Sequence, residues 1–253
     1  MNNEEKGTGS EFWIKDCALA ILATGRRAQT LRELRDSIRD IHPGSIYHHF
    51  WGALLRPQFS DREFNNDFAS WCYHSLHDSV VAERLAMIDP ADYSDMEALR
   101  QELIGIIEER LDETEVVSVA KPDQQFHFAR SVIVVFDTHR RLYHPRELVE
   151  AVPQMSAGTI FYHFIDARRR EPIGVDDFRA WLMGLGPGYQ PLCDAIAEID
   201  PYFESLYTLR DRLTEVFARF LTNAPLTPPK PVGKPASGER GATRRQSRAG
   251  EGS

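Results

Sequence analysis

Cysteine is scarce in this chain. Only Cys17, Cys72 and Cys193 occur among 253 residues, and none forms a C-x-x-C pair. An odd number of isolated thiols argues against a disulfide framework or a cysteine zinc site and suits reduced thiols in a cytosolic protein. Long apolar runs are missing too: nothing approaches the ~20 residues of a membrane span. The polar, acidic opening MNNEEKGTGSEFW has no signal-peptide h-region. There is no Gly-rich phosphate loop, dinucleotide fingerprint, nucleophile elbow, zinc-hydrolase spacing or EF-hand loop. These absences remove the common catalytic and cofactor classes, and no cofactor is expected.

What is present is self-similarity. Ser45–Phe50 reads SIYHHF and returns as Thr159–Phe164, TIFYHF, 114 residues later. The offset holds without a gap from Arg26 to about Arg56: Arg26-Arg27 matches Arg140-Arg141, Arg32-Glu33-Leu34 matches Arg146-Glu147-Leu148, and Gly44 matches Gly158. A register of about thirty positions reads as a duplication. The chain is therefore expected to comprise a flexible N-terminus (1–11), a repeat unit at 12–113, a polar linker near 112–125, a second unit at 126–223, and a tail at 224–253. The tail, rich in Pro, Gly, Ser and Arg, cannot bury enough apolar surface to offset its ordering entropy and is expected to be disordered.

The net charge of −8 is unevenly spread. Residues 12–56 carry seven basic and four acidic side chains, whereas 57–118 carry four and fifteen. In the second half, 126–173 has seven basic and five acidic, and 174–223 has four and eight. Each half has a mildly basic front and an acidic back. Either the two attract each other and keep the chain soluble, or the front offers an anion site.

Helical periodicity dominates the pass along the chain. Phe12–Ala23 places Ile14, Cys17/Ala18 and Ile21/Leu22 on one face. Its partner Phe128–Phe136 contains SVIVVF, which propensity alone would assign to a strand. Because ALAIL at 18–22 occupies the same register, both are expected to be helices. Thr30-Leu-Arg-Glu33 has capping-box spacing and opens a helix with Leu31, Leu34, Ile38 and Ile41 inward. Ser45 and Thr159 are expected to cap the next helix of each unit. Ser60-Asp-Arg-Glu63 and Ser94-Asp-Met-Glu97 look like further capping boxes, and Pro145 suits a helix's first turn. The fold class this predicts is all-α, with about six helices per unit.

Thr24-Gly-Arg-Arg-Ala28, Leu31-Arg-Glu-Leu34, Ser45-Ile-Tyr-His48, Asn66-Asp-Phe-Ala-Ser-Trp71, Ile88-Asp-Pro90 and Leu99-Arg100 together resemble the uncharacterised prokaryotic family known as domain of unknown function 5752. The likeness covers about 12–112 well and 126–221 more loosely. In the second copy His139 replaces the Gly of GRRA, Leu142 its Ala, and Asp176 the Asn before Asp177. The resemblance implies small helical modules linked to carbohydrate metabolism and supplies no catalytic residue to carry over.

The candidate ligand-binding residues follow from the repeated helix. His49 and His163 fall on its core side, with Tyr47, His48 and Tyr162 around the rim. A core histidine needs a partner, and Asp67 and Asp177, preceding Phe68…Trp71 and Phe178…Trp181, are the candidates. The pair is either a structural tie between two helices or part of a pocket. Arg26, Arg27, Arg140 and Arg141 are placed to meet phosphate or carboxylate, or to pair with the acidic back. His74-x-x-His77 has metal-compatible spacing, but the second copy lacks it, and no metal site is expected.

These features point to a non-catalytic binding or regulatory module engaging a partner protein or a small anionic ligand, with no role at a membrane. The alternatives are a helix-turn-helix DNA-binding regulator, suggested by the GTIFYHF run and Arg168–Arg170, and an enzyme of unrecognised type. The acidity of the folded part makes nucleic acid a poor partner.

Overall fold

A computed structural model describes residues 11–55, 63–93, 95–170, 174–201 and 205–222. Two long strands, β1 (Phe12–Ala28) and β2 (Phe126–Leu142), pair with each other as an antiparallel ribbon, from Phe12 opposite Leu142 to Ala28 opposite Phe126. The all-α expectation is thereby corrected. Phe12–Ala23 and Phe128–Phe136 are strands, and the fold is mixed α/β. Backbone amides of a strand need a ladder partner. The β-branched run of β2 supplies one, and that pairing overrides the local helix preference of the Ala- and Leu-rich β1.

The expected internal repeat of tandem helical units is corrected by the same ribbon. The segments that were to open two separate helical units pair with each other instead. The apolar start of each strand is also buried among helices of the opposite half. Phe12 packs on His163, Phe178 and Trp181, while Phe126 packs on His49, Phe68 and Trp71.

The register shifts between Ile14 and Lys15 and again between Ala23 and Arg27. A residue with positive φ sits at each bulge: Gly25 at +75° and His139 at +57°. The hydroxyl of Thr24 donates across the bulge at Gly25 to the Phe128 carbonyl (2.6 Å), and that of Thr138 donates across the bulge at His139 to the Ile14 carbonyl. Bulges of this kind add local twist while the ladder continues on either side.

The first half carries α1 (Leu31–Asp40), α2 (Pro43–Trp51), α3 (Asp67–His74), α4 (Ser79–Ala86) and α5 (Met96–Glu113). Thr30 caps α1 by accepting the Glu33 amide, and Glu33 reaches back to the Gln29 amide, as the capping box predicts. For α2 the cap is His42, whose Nδ1 accepts the Gly44 amide. The expected cap, Ser45, is buried inside the helix and donates to the Ala129 carbonyl of β2. Asp95 caps α5, where Ser94 was expected. Ser94, Arg56, Pro57, Ser60–Arg62, residues 1–10 and the tail lie outside the described residues.

The second half carries α6 (Leu148–Ala151), α7 (Ala157–Ile160), α8 (Asp177–Leu185), α9 (Gln190–Ala197) and α10 (Leu206–Leu221). Pro145 opens a short 3-10 turn ahead of α6. Ser156, rather than Thr159, caps α7, which continues as a π-type turn over Phe161–Ile165. Buried side chains of both halves form one continuous core. Leu34, Phe50, Phe68 and Leu103 contribute from one side, Phe161, Phe178, Leu213 and Phe217 from the other, and Phe12, Phe126 and Phe128 from the ribbon.

Candidate functional site

Two histidines tie the ribbon to the helices. His49 on α2 holds Asp67 at the start of α3, Nδ1 to Oδ2 at 2.9 Å, and its Nε2 accepts the Ala129 amide of β2 at 3.3 Å. His163 holds Asp177 at the start of α8 at 2.7 Å, and its Nε2 accepts the Lys15 amide of β1 at 2.9 Å. An Nε2 that accepts an amide proton places the ring's own proton on Nδ1, where it donates to the carboxylate. Both nitrogens of both rings are thus engaged in holding structure, and neither ring has a lone pair left for a substrate. Burial pushes the His163 pKa down, opposed by Asp177.

The rim residues are equally committed. His48 is buried and its Nδ1 lies 2.6 Å from the Ser131 hydroxyl of β2. Trp71 donates its indole N–H to the Gln124 carbonyl just ahead of β2, and Trp181 packs on Phe12. Among the described residues His48, His49 and Asp67 are the one trio whose potential ligand atoms lie within 4.8 Å of one another. A cation there would have to displace the amide of Ala129 or the Asp67 contact from His49, so the trio has the residue types for a metal but not the free donor atoms.

The four exposed arginines do not join this arrangement. Arg27 pairs with His127 at one end of the ribbon, whereas Arg140 and Arg141 pair with Ile14 and Trp13 at the other. Arg141 stacks on Trp13 at 3.7 Å and approaches Glu11 at 3.8 Å. Arg26 lines a cleft beside α2 together with Arg130 and His42.

A second polar cluster joins the two halves. Tyr47 of α2 is buried, stacks on Trp51, and donates its hydroxyl to Asp166 at 3.3 Å. Arg169 lies over both rings, 4.3 and 4.8 Å from their centres, and 3.6 Å from Asp166. Arg170 covers Tyr162, and its guanidinium donates to the Tyr162 carbonyl and to Asp177. Burial raises the pKa of Asp166, against the pull of Arg169 and Arg170, and raises that of Tyr47 well above its ordinary value. Tyr47, Tyr162 and Asp177 were expected at the candidate site, but nothing in the sequence signals their meeting with Asp166, Arg169 and Arg170, and the Arg168–Arg170 run reads instead as a DNA-backbone contact. Residues 158–165, the segment that would have to read a groove, are all buried.

No described helix is long and apolar enough to cross a membrane. The family model described as "Family of unknown function (DUF5752)" matches residues 9–218. No curated protein matches the sequence. The solved structure of OrfY from Thermoproteus tenax is similar to this chain at 29% identity and a TM-score of 0.70, with 83% of this chain and 95% of OrfY covered.

Proposed function

The chain belongs to the family of unknown function DUF5752, and from that premise we propose that it is a non-catalytic, cytoplasmic binding module that engages a partner protein through the outer face of its ribbon. One observation carries this reading. Ala18 pairs with Val134 and Ala20 with Val132, while Leu22 and Phe136 complete the same outward row. All six side chains are exposed, Leu22 and Phe136 by about half, and none is charged. An antiparallel ribbon with one face on helices ordinarily turns polar residues outward. A two-stranded ribbon that presents an apolar row to water has the character of a contact surface. The histidines support the non-catalytic half of the proposal, since both ring nitrogens of each are spent on holding strands.

The test is a Val134→Lys/Phe136→Lys variant. Both substitutions point outward, so the variant should melt within about 0.5 kcal/mol of the wild type. Immobilised wild-type protein should retain a partner from extracts of the source cells that the variant does not. If the two retain the same proteins, the ribbon face is not the contact surface.

A further inference from the structure

We infer that the cleft between the ribbon and the start of α2 is a binding site for a phosphate group, with Arg130, Arg26 and His42 as its ligands. This site shares Leu22 with the end of the outer ribbon row but none of Val132, Val134 or Phe136, so substitutions at Val134 and Phe136 test the row and substitutions at Arg130 and Arg26 test the cleft.

The cleft is open to solvent and offers a volume of about 340 Å³, walled by Leu22, Ala23 and Ile41, with Thr24, Asp40 and the three basic residues around them. Arg130 is half-buried, and its stem crosses the first turn of α2. Its Cγ is 3.1 Å from where a side chain on Gly44 would begin, so glycine lets the stem lie close against the helix and a larger residue there would crowd it. Its Nε is shielded from solvent and has no hydrogen-bond partner. Neither Arg130 nor Arg26 has an ion pair among the described residues, and Asp40, exposed at the rim, is within 4 Å of neither. His42 uses Nδ1 to accept the Gly44 amide, which leaves its Nε2 proton to donate. A guanidinium laid against the N-terminal end of a nine-residue helix faces the positive end of that helix's dipole, an unfavourable placement unless an anion sits between them.

The other half of the molecule shows what belongs in that place. The residue 114 positions before Arg130 is Asp16, and the one 114 after Gly44 is Gly158. Asp16 lies across the start of α7 as Arg130 lies across the start of α2. Its Oδ1 accepts the Ser156 hydroxyl and the Cys17 amide, both at 2.8 Å, and sits 2.4 Å from where a Gly158 side chain would begin. At α7 the chain supplies its own carboxylate. At α2 the same position holds a cation beside a second arginine and an open cleft, so the negative charge comes from outside. Two guanidinium forks and an imidazole donor suit a phosphate dianion, and the apolar wall suits the organic body of a phosphomonoester.

Thermal shift and calorimetric titration of the full chain with inorganic phosphate, at ionic strength matched with chloride, test the assignment. The wild type should show a saturable stabilisation. Arg130→Gln should abolish it, and Arg26→Gln should weaken affinity about tenfold, while Arg140→Gln at the far end of the ribbon should leave it unchanged. Arg130→Asp, which copies the arrangement at α7, should raise the melting temperature without phosphate and remove the response to it. Tighter binding of glucose 6-phosphate than of phosphate would assign the ligand to a phosphomonoester, and the reverse order would assign it to the free ion. A wild type that shows no saturable response, or an Arg130→Gln protein that keeps it, overturns the site.

Discussion

The amide of Lys15 donates to Nε2 of His163, so a strand near the chain's start is held by a ring 148 residues further along. The same ring donates to Asp177, and the amide–imidazole–carboxylate chain has its counterpart at Ala129, His49 and Asp67. Replacing His163 by alanine orphans a strand amide and a carboxylate together. The expected cost is about 3 kcal/mol, measured by urea denaturation, and His163→Gln, which can still accept the amide, should recover part of it. A loss under about 1 kcal/mol would mean that the tie holds little.

The pH dependence of His163 has a definite sign. Burial lowers its pKa below the ordinary 6.5, so the folded protein keeps the ring neutral. Below that pH the unfolded chain takes up a proton that the folded chain refuses. The stability contributed by the neutral ring is present above pH 6.5 and is lost as pH falls, at up to about 1.4 kcal/mol per unit. Asp176 works in the opposite sense: burial raises its pKa to about 6, so stability is lost as pH rises from about 4 toward 6. The two overlap. The difference between wild-type and His163→Gln stability, followed from pH 7.5 down to 5, should therefore shrink as the pH falls.

At the ribbon bulges, Gly25 and His139 adopt the same left-handed backbone. Glycine does so freely, whereas a side chain costs about 1 kcal/mol or more. His139→Gly should stabilise the protein by about 1 kcal/mol, and Gly25→Ala should destabilise it by a similar amount, both read from thermal melts. Equal and negligible effects would show that the bulges are set by the Thr24 and Thr138 hydroxyls alone.

Residues 12–113 should not fold alone. Without β2, the faces of Phe68, Trp71 and His49 that receive Phe126 lose their cover. Circular dichroism and amide dispersion in NMR spectra of this fragment should report a largely unstructured chain, and adding a peptide spanning Gln124–Leu142 should restore helical signal. A cooperative melt of the bare fragment would contradict this.

The sequence made the helix-side half of this architecture legible and obscured the ribbon. Periodicity places Leu34, Ile38, His49 and Phe50 inward, and the aspartates that precede the matching Phe68…Trp71 and Phe178…Trp181 segments are the partners of both histidines. The strands were hidden because β1 is apolar on both faces, which erases the period of two, and because ALAIL favours helix when read alone. SVIVVF carried the correct signal and was overruled by its alignment with a weaker segment. The replacement of Gly25 by His139 looked like decay of a motif, although it marks a bulge. Arg130 gave no signal at all, since its role depends on Gly44 lying beneath it.

The crossing of the strands also bears on synthesis. When the ribosome has completed α5, the first half still lacks β2, and β1 has neither its partner strand nor the Phe178 and Trp181 cradle that receives Phe12. The nascent chain must carry the uncharged run from Ala18 to Ala23 unpaired until more than a hundred further residues have been added. Such a strand invites intermolecular pairing while it waits. Yield and solubility in cells should therefore depend on translation speed and on chaperones that shield the first strand, and far less on the stability of the finished protein.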